Sequence, residues 1–157
     1  MTTQLPPTAN AYLRTRVLSA SPEELRLMLL DGAIKFLRQG REAMTRKDFE
    51  GIFNGFSQAR EIVFELLTTI REDVNPELAA QAKALYAFIY RSLVEAGHEK
   101  DLAKTDRVIE LLEFERETWV MLMRKLAEER GTTTSADVAP AAAPAPAPAR
   151  AVLSVQG

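Results

Sequence analysis

Glu95 and His98 are the residues whose types and spacing come nearest to doing chemistry. They form a single Glu-x-x-His, the pairing that di-iron helical bundles use. Such a site needs two of these pairs plus a glutamate from each of two further helices. The chain has one histidine in 157 residues, so the second pair cannot be built. His98 is better read as touching the last carbonyls of a helix than as a ligand. The sequence contains no cysteine, which removes thiolate metal sites and disulfides alike. No phosphate loop, nucleophile elbow or paired-histidine zinc motif is present. The expectation is a protein that is not an enzyme and has no catalytic residues, metal site or cofactor. Its function must then lie in its apolar surface.

That surface is concentrated in "SPEELRLMLLDGAIKFL", residues 21–37. Ser21 is placed as an N-cap, Pro22 suits a first helical position, and Glu24 closes a capping box. Leu25, Met28, Leu29, Gly32 and Phe36 form one stripe of this helix. Leu27, Leu30, Ala33, Ile34 and Leu37 form another. One stripe suffices to enter a bundle, so part of the wider arc is expected to meet the N-terminal segment, an oligomer partner or a ligand peptide. Gly32 costs about 1 kcal/mol relative to alanine in a helix interior. Two readings stay open: it lets a foreign backbone approach closely, or it eases packing of a neighbouring helix.

The elements that position this face follow from the prolines, which leave residues 23–75 and 77–139 free of them. In "DFEGIFNGFSQAREIVFELLTTIRED", Phe49, Ile52, Phe56, Ala59, Val63, Leu66 and Ile70 keep one face of a helix. A third helix is capped by Asn75 and started by Pro76, and Gly97 is placed to end it in a left-handed turn. Its stripe is Leu78, Ala82, Leu85, Ile89, Leu93 and Ala96. A fourth runs from about Asp101 to Arg130, with Leu102, Ile109, Leu112, Trp119, Met123 and Leu126 inward. Short connections force antiparallel neighbours. The fold class is therefore all-α, an antiparallel up-down four-helix bundle over residues 22–130, preceded by an N-terminal cap segment, 1–21. The Ala/Pro-rich stretch 131–157 is expected to be a disordered tail.

Charge excludes one class of partner. Residues 22–130 carry 17 basic and 21 acidic groups, which is no footprint for nucleic acid. The N-terminal stretch lacks the apolar core of a secretory signal, and no run approaches the ~20 apolar residues of a membrane span, so a cytoplasmic protein without membrane insertion is expected.

At these same residues the chain resembles the FliS family of flagellar export chaperones. The likeness rests on Ala11–Tyr12, Val17, "SASPEEL" at 19–25, "MLLDGAI" at 28–34, "LYAFIYRSLVEA" at 85–96 and "RETW" at 116–119, covering about residues 9–125. Leu30 stands where that family usually has an aromatic residue, and Gly97 where it usually has asparagine. The resemblance implies a cytoplasmic helical bundle that binds the C-terminal region of newly made flagellin, laying its helical pieces into hydrophobic grooves and displacing an N-terminal cap. Tyr12 and Val17 match the family's cap and groove edge, and Met28, Leu29, Gly32 and Ala33 match its groove-lining run. Leu25 and Phe36 extend that run along the same face. Tyr86 and Tyr90 are further candidates on the third helix, with core rim as their other reading. Trp119 is read as core. Contact with the flagellar export gate and weak homodimerisation are left open by the resemblance.

One motif lies outside the shared region. Val152, Leu153 and Val155, near the end of the chain, resemble a flagellin terminus, and a linker of about twenty residues reaching ~25 Å would let them compete as a tethered pseudo-ligand. The other reading is a chance apolar end on a tail that cannot bury a core. Two rival functions remain: a homo-oligomeric structural bundle, and a helical adaptor for another export client.

Overall fold

The computed structural model describes residues 7–142, with side chains from 8 to 131. Five helices make up the described elements, α1 (Pro7–Ser19), α2 (Pro22–Thr45), α3 (Phe49–Thr68), α4 (Pro76–Glu99) and α5 (Leu102–Ala142). The chain divides into two compact units between Thr118 and Trp119, and α5 contributes to both.

Local chemistry starts each long helix. Ser21 accepts from the Glu24 N–H at 3.1 Å while the Glu24 carboxylate accepts from the Ser21 N–H at 3.3 Å, closing the box at the start of α2. Asp48 caps α3 by accepting from the Gly51 N–H, and Asn75 caps α4 by accepting from the Leu78 N–H. Asp101 does the same for α5 through the Lys104 N–H. Each side chain satisfies a donor that the first helical turn leaves without a partner.

Side-chain pairs give the topology. Along α2, Asp31, Arg38, Arg41 and Met44 meet Arg116, Glu113, Asp106 and Thr105 of α5, so rising numbers face falling ones. Arg26 donates to the Leu66 carbonyl at 3.0 Å, near the far end of α3, whereas Gly40 lies against Gly55. Between α3 and α4, Phe56 packs on Gly97 and Phe64 on Tyr90. On α4 and α5, Glu95 meets Lys104 and Tyr86 faces Glu115. Every adjacent pair is antiparallel, and the four long helices close into the expected up-down bundle.

Leu30, Ala33, Leu37, Ala59, Val63, Leu66, Ile89 and Leu112 are fully excluded from solvent and form the core. α2 and α3 approach most closely at a glycine contact. A Cβ added to Gly55 would stand 2.7 Å from both the Gly40 nitrogen and the Phe36 carbonyl oxygen, so backbone rests on backbone there. The Phe56 ring then fits between α2 and α4, because a Cβ on Gly40 or on Gly97 would meet it at 2.7 Å.

Several details differ from the sequence pattern. Gly97 does not end α4; the helix runs to Glu99, and Lys100 takes the left-handed turn with φ 54°. The glycine is used for the Phe56 contact instead. Phe49, Leu78 and Leu102 were expected inward but are 62%, 62% and 38% exposed. Each sits in the first turn of its helix, where the stripe extends past the packed layers. In α4 burial shifts to Ala79 and Tyr86, and in α5 Thr105 and Val108 join Ile109 and Leu112. The N-terminal cap segment is itself a helix, α1, and its side chains from Asn10 to Ser19 are all exposed.

The second unit begins at Trp119, which is half-buried rather than core, as are Val120, Met123 and Leu126. Beyond Gly131, where the tail was expected to begin, α5 continues to Ala142. Extending an existing helix forms one bond per residue fixed, without a new nucleus, and no proline interrupts the chain until Pro140. Val152, Leu153 and Val155 lie outside the described residues.

Candidate binding surface

The two stripes of α2 have separated in the folded chain. Leu30, Ala33, Ile34 and Leu37 are buried, and Leu27 is half-buried, so this stripe is spent on the core. Leu25 is 38% exposed, and Met28, Leu29, Gly32 and Phe36 are half-buried. α2 thus keeps an apolar strip over about three turns that its own neighbours do not fully cover.

Gly32 sits within this strip and turns toward α3. The nearest atom to an added Cβ is the Ile62 Cδ1, at 3.3 Å. That is a side-chain tip, not a backbone, so the close helix approach is made elsewhere, at Gly40 and Gly55. With no side chain of its own, Gly32 lets the tip of Ile62 reach α2 within the strip, between Leu29 and Phe36.

The candidate residues fall into four groups. Leu25, Met28, Leu29, Gly32 and Phe36 share the α2 strip. Ala33 and Tyr86 are core, 0% and 3% exposed, and present no surface to a guest; helical spacing puts Ala33 on the inner stripe, and Tyr86 on the side of α4 facing Arg26 and Glu115. Tyr90 is half-buried beside Phe64 at 6.2 Å between ring centroids, on the α3–α4 side. Tyr12 and Val17 are on α1, 67% and 43% exposed.

Arg26 ties the base of the strip together. Its guanidinium donates to the Leu66 carbonyl and lies 5.2 Å from the centre of the Tyr86 ring. Burial pushes the Tyr86 hydroxyl up to about 12, with Glu115 adding to the rise and Arg26 opposing it. On the other flank of α2, ion pairs from Asp31, Arg38 and Arg41 to α5 are solvent-exposed and set orientation more than stability. Arg41 holds the Asp106 carboxyl below its ordinary range through their hydrogen bond.

The Glu-x-x-His pair builds no metal centre. Glu95 is engaged by Lys104, which also holds Glu99 at 2.9 Å, and His98 is exposed in the last turn of α4. Among the described residues no cluster of three or more His, Cys, Asp or Glu side chains could hold an ion. No described helix is long and apolar enough to cross a membrane.

Reasoning from spacing missed a second apolar surface. Phe53 and Phe64 of α3 and Val94 of α4 are 69%, 54% and 39% exposed. The signal was present: Phe49, Phe53 and Phe64 fall within about 60° of one another around a helix with 100° per residue.

Residues 5–126 match the family described as Flagellar protein FliS. A flagellar secretion chaperone FliS from Bacillus subtilis is 32% identical over 120 residues, covering 76% of this chain and 89% of the relative. One from Vibrio cholerae is 28% identical, covering 64% and 74%. A flagellar secretion chaperone FliSB from Pseudomonas aeruginosa is 30% identical, covering 68% and 85%. These relatives are chaperones rather than enzymes. With most of its length matched, and with helices and bundle order as that likeness required, this chain belongs to the FliS family.

Proposed function

We propose that this chain is a cytosolic flagellar export chaperone that holds the C-terminal helical region of flagellin against the α2 strip until secretion. The observation that carries the reading is the division of α2, with one apolar stripe sunk in the core and the other left half-covered. Flagellin's terminal helices are amphipathic, and the half-covered apolar strip of α2 offers their apolar face a place to lie. A guest held this way cannot use the same face to polymerise.

The energetics suit a carrier. A flexible guest segment must be ordered as it binds, which offsets much of the gross contact energy, so a large interface remains releasable. α1 suits a displaceable cap because the side chains of its last ten residues are exposed, so few of its own contacts are lost when it moves aside. Tyr12 and Val17 are the residues through which it would hold the edge of the strip. The docked complex is then what the export gate would receive.

Co-expression with flagellin followed by size exclusion tests this. Wild type should elute with flagellin as a soluble complex, and Gly32→Leu should remain helical by circular dichroism while binding at least about tenfold less, the equivalent of ~1.4 kcal/mol. Tyr12→Ala should change binding without changing the melting temperature. Flagellin eluting separately from folded wild type would refute the proposal.

A further inference from the structure

We propose that the furrow between α3 and α4 is a second docking surface, for an acidic amphipathic helix on a partner protein. It lies beyond the α2 strip. A cavity of about 500 Å³ opens between the start of α3 and the end of α4, floored by Phe53, Phe56, Leu93 and Val94. Its rim carries Arg60, His98 and Lys100, and no carboxylate lines it.

The charge of this rim is not spent among the described residues. Arg60 and Lys100 have no carboxylate partner among the described residues, and the Lys100 ammonium stands 5.5 Å from the centre of the Phe49 ring. The nearby acids of α4 are otherwise engaged, since Lys104 holds both Glu95 and Glu99. A protein whose net charge is −2 therefore presents a cationic rim around an aromatic floor. The complement is an apolar face flanked by Asp or Glu, attracted to the rim and buried on the floor.

The shape favours a helix over a small ligand. On α3, Phe49, Phe53, Ser57, Arg60 and Phe64 lie within an arc of about 80°, so they form one exposed line some 22 Å long. Tyr90 closes its far end by packing on Phe64. A line of that length accepts about four turns of a guest helix, read through its i, i+4 and i+7 positions.

The test uses the full chain and three synthetic amphipathic helical peptides with the same Leu/Phe face, flanked by Glu, by Gln or by Lys. The Glu peptide should bind with an affinity that falls about tenfold for the Gln twin and further for the Lys twin. Arg60→Glu with Lys100→Glu should reverse the order of the Glu and Lys peptides while leaving the circular dichroism and melting temperature near wild type. Phe53→Ala should weaken all three. Equal binding of the Glu and Gln twins, an order unmoved by the charge reversals, or no binding of the Glu peptide overturns the proposal. So does concentration-dependent dimerisation that Phe53→Asp abolishes, because the occupant would then be a second copy.

Discussion

Gly40, Gly55 and Gly97 make room for the α2–α3 backbone contact and the Phe56 ring, and the sequence draws the eye to a different glycine. Gly32 interrupts the most apolar run, yet an added methyl there would meet only the tip of Ile62, at 3.3 Å. Gly55 has no such latitude, because its neighbours are the backbone of Gly40 and the carbonyl of Phe36. Gly55→Ala should therefore cost about 1–3 kcal/mol through overpacking. Gly32→Ala should be neutral or stabilising by up to about 1 kcal/mol, since Ile62 is half-exposed and can swing aside. Urea denaturation of the two variants separates them, and equal effects would show that the α2–α3 approach is not set at Gly55. Tyr86 supports a second prediction. Its hydroxyl is held neutral by burial, with its pKa pushed up to about 12 against 10.0 unfolded. A raised pKa contributes stability that is complete below pH 10 and lost as the pH climbs through 12. Stability measured across that window should fall less steeply in Tyr86→Phe than in wild type, and parallel curves would mean that Tyr86 plays no part in alkaline unfolding.

At the scale of the element, what was legible depended on whether a helix's own pattern decided the outcome. The start of α2 was readable because Ser21, Pro22 and Glu24 satisfy the helix terminus locally, and the structure closes that capping box. The interior of α3 was readable because Ile52, Phe56, Ala59, Val63 and Leu66 keep strict spacing, and all five are buried. The pattern failed at helix ends, where Phe49 and Leu102 continue a stripe beyond the layers that could cover it. It also failed at Gly97, where local turn chemistry predicted a stop. The competing demand came from α3, since the Phe56 ring needs the space that a side chain at 97 would fill. The candidate surface divides along the same line. Spacing located both stripes of α2, but only packing against α3 and α5 decides which stripe is sunk. Ala33 entered the candidate surface through the family likeness, while its spacing set it beside Leu30 and Leu37 on the stripe that is buried. α1 left no signal of its own, since Tyr12, Leu13, Val17 and Leu18 are spread around the helix rather than gathered on one side.

For the molecule as a whole, the question is which parts the bundle requires and which it merely carries. The buried residues belong to α2, α3, α4 and the first part of α5, and the ion pairs from α2 to α5 join helices already in contact. Among the described residues, α1 contributes no buried side chain to that core. Its loss should then leave the cooperative unfolding of the bundle intact, because stability follows buried apolar area and this helix supplies little of it. If α1 also covers part of the α2 strip as a cap, a guest must displace it, and the free energy of that displacement is subtracted from binding. Removing residues 1–19 should shift the melting temperature by no more than about 4 °C, the equivalent of roughly 1 kcal/mol in a domain of this size. The same truncation should tighten binding of a flagellin C-terminal peptide in calorimetry, by the factor that the cap withholds. Tighter binding with unchanged melting would identify α1 as a competitor for the strip. Weaker binding with unchanged melting would make α1 part of the grip on the guest, with Tyr12 and Val17 as its contacts. A large fall in melting temperature would place α1 within the cooperative fold and remove the physical basis for treating it as a cap.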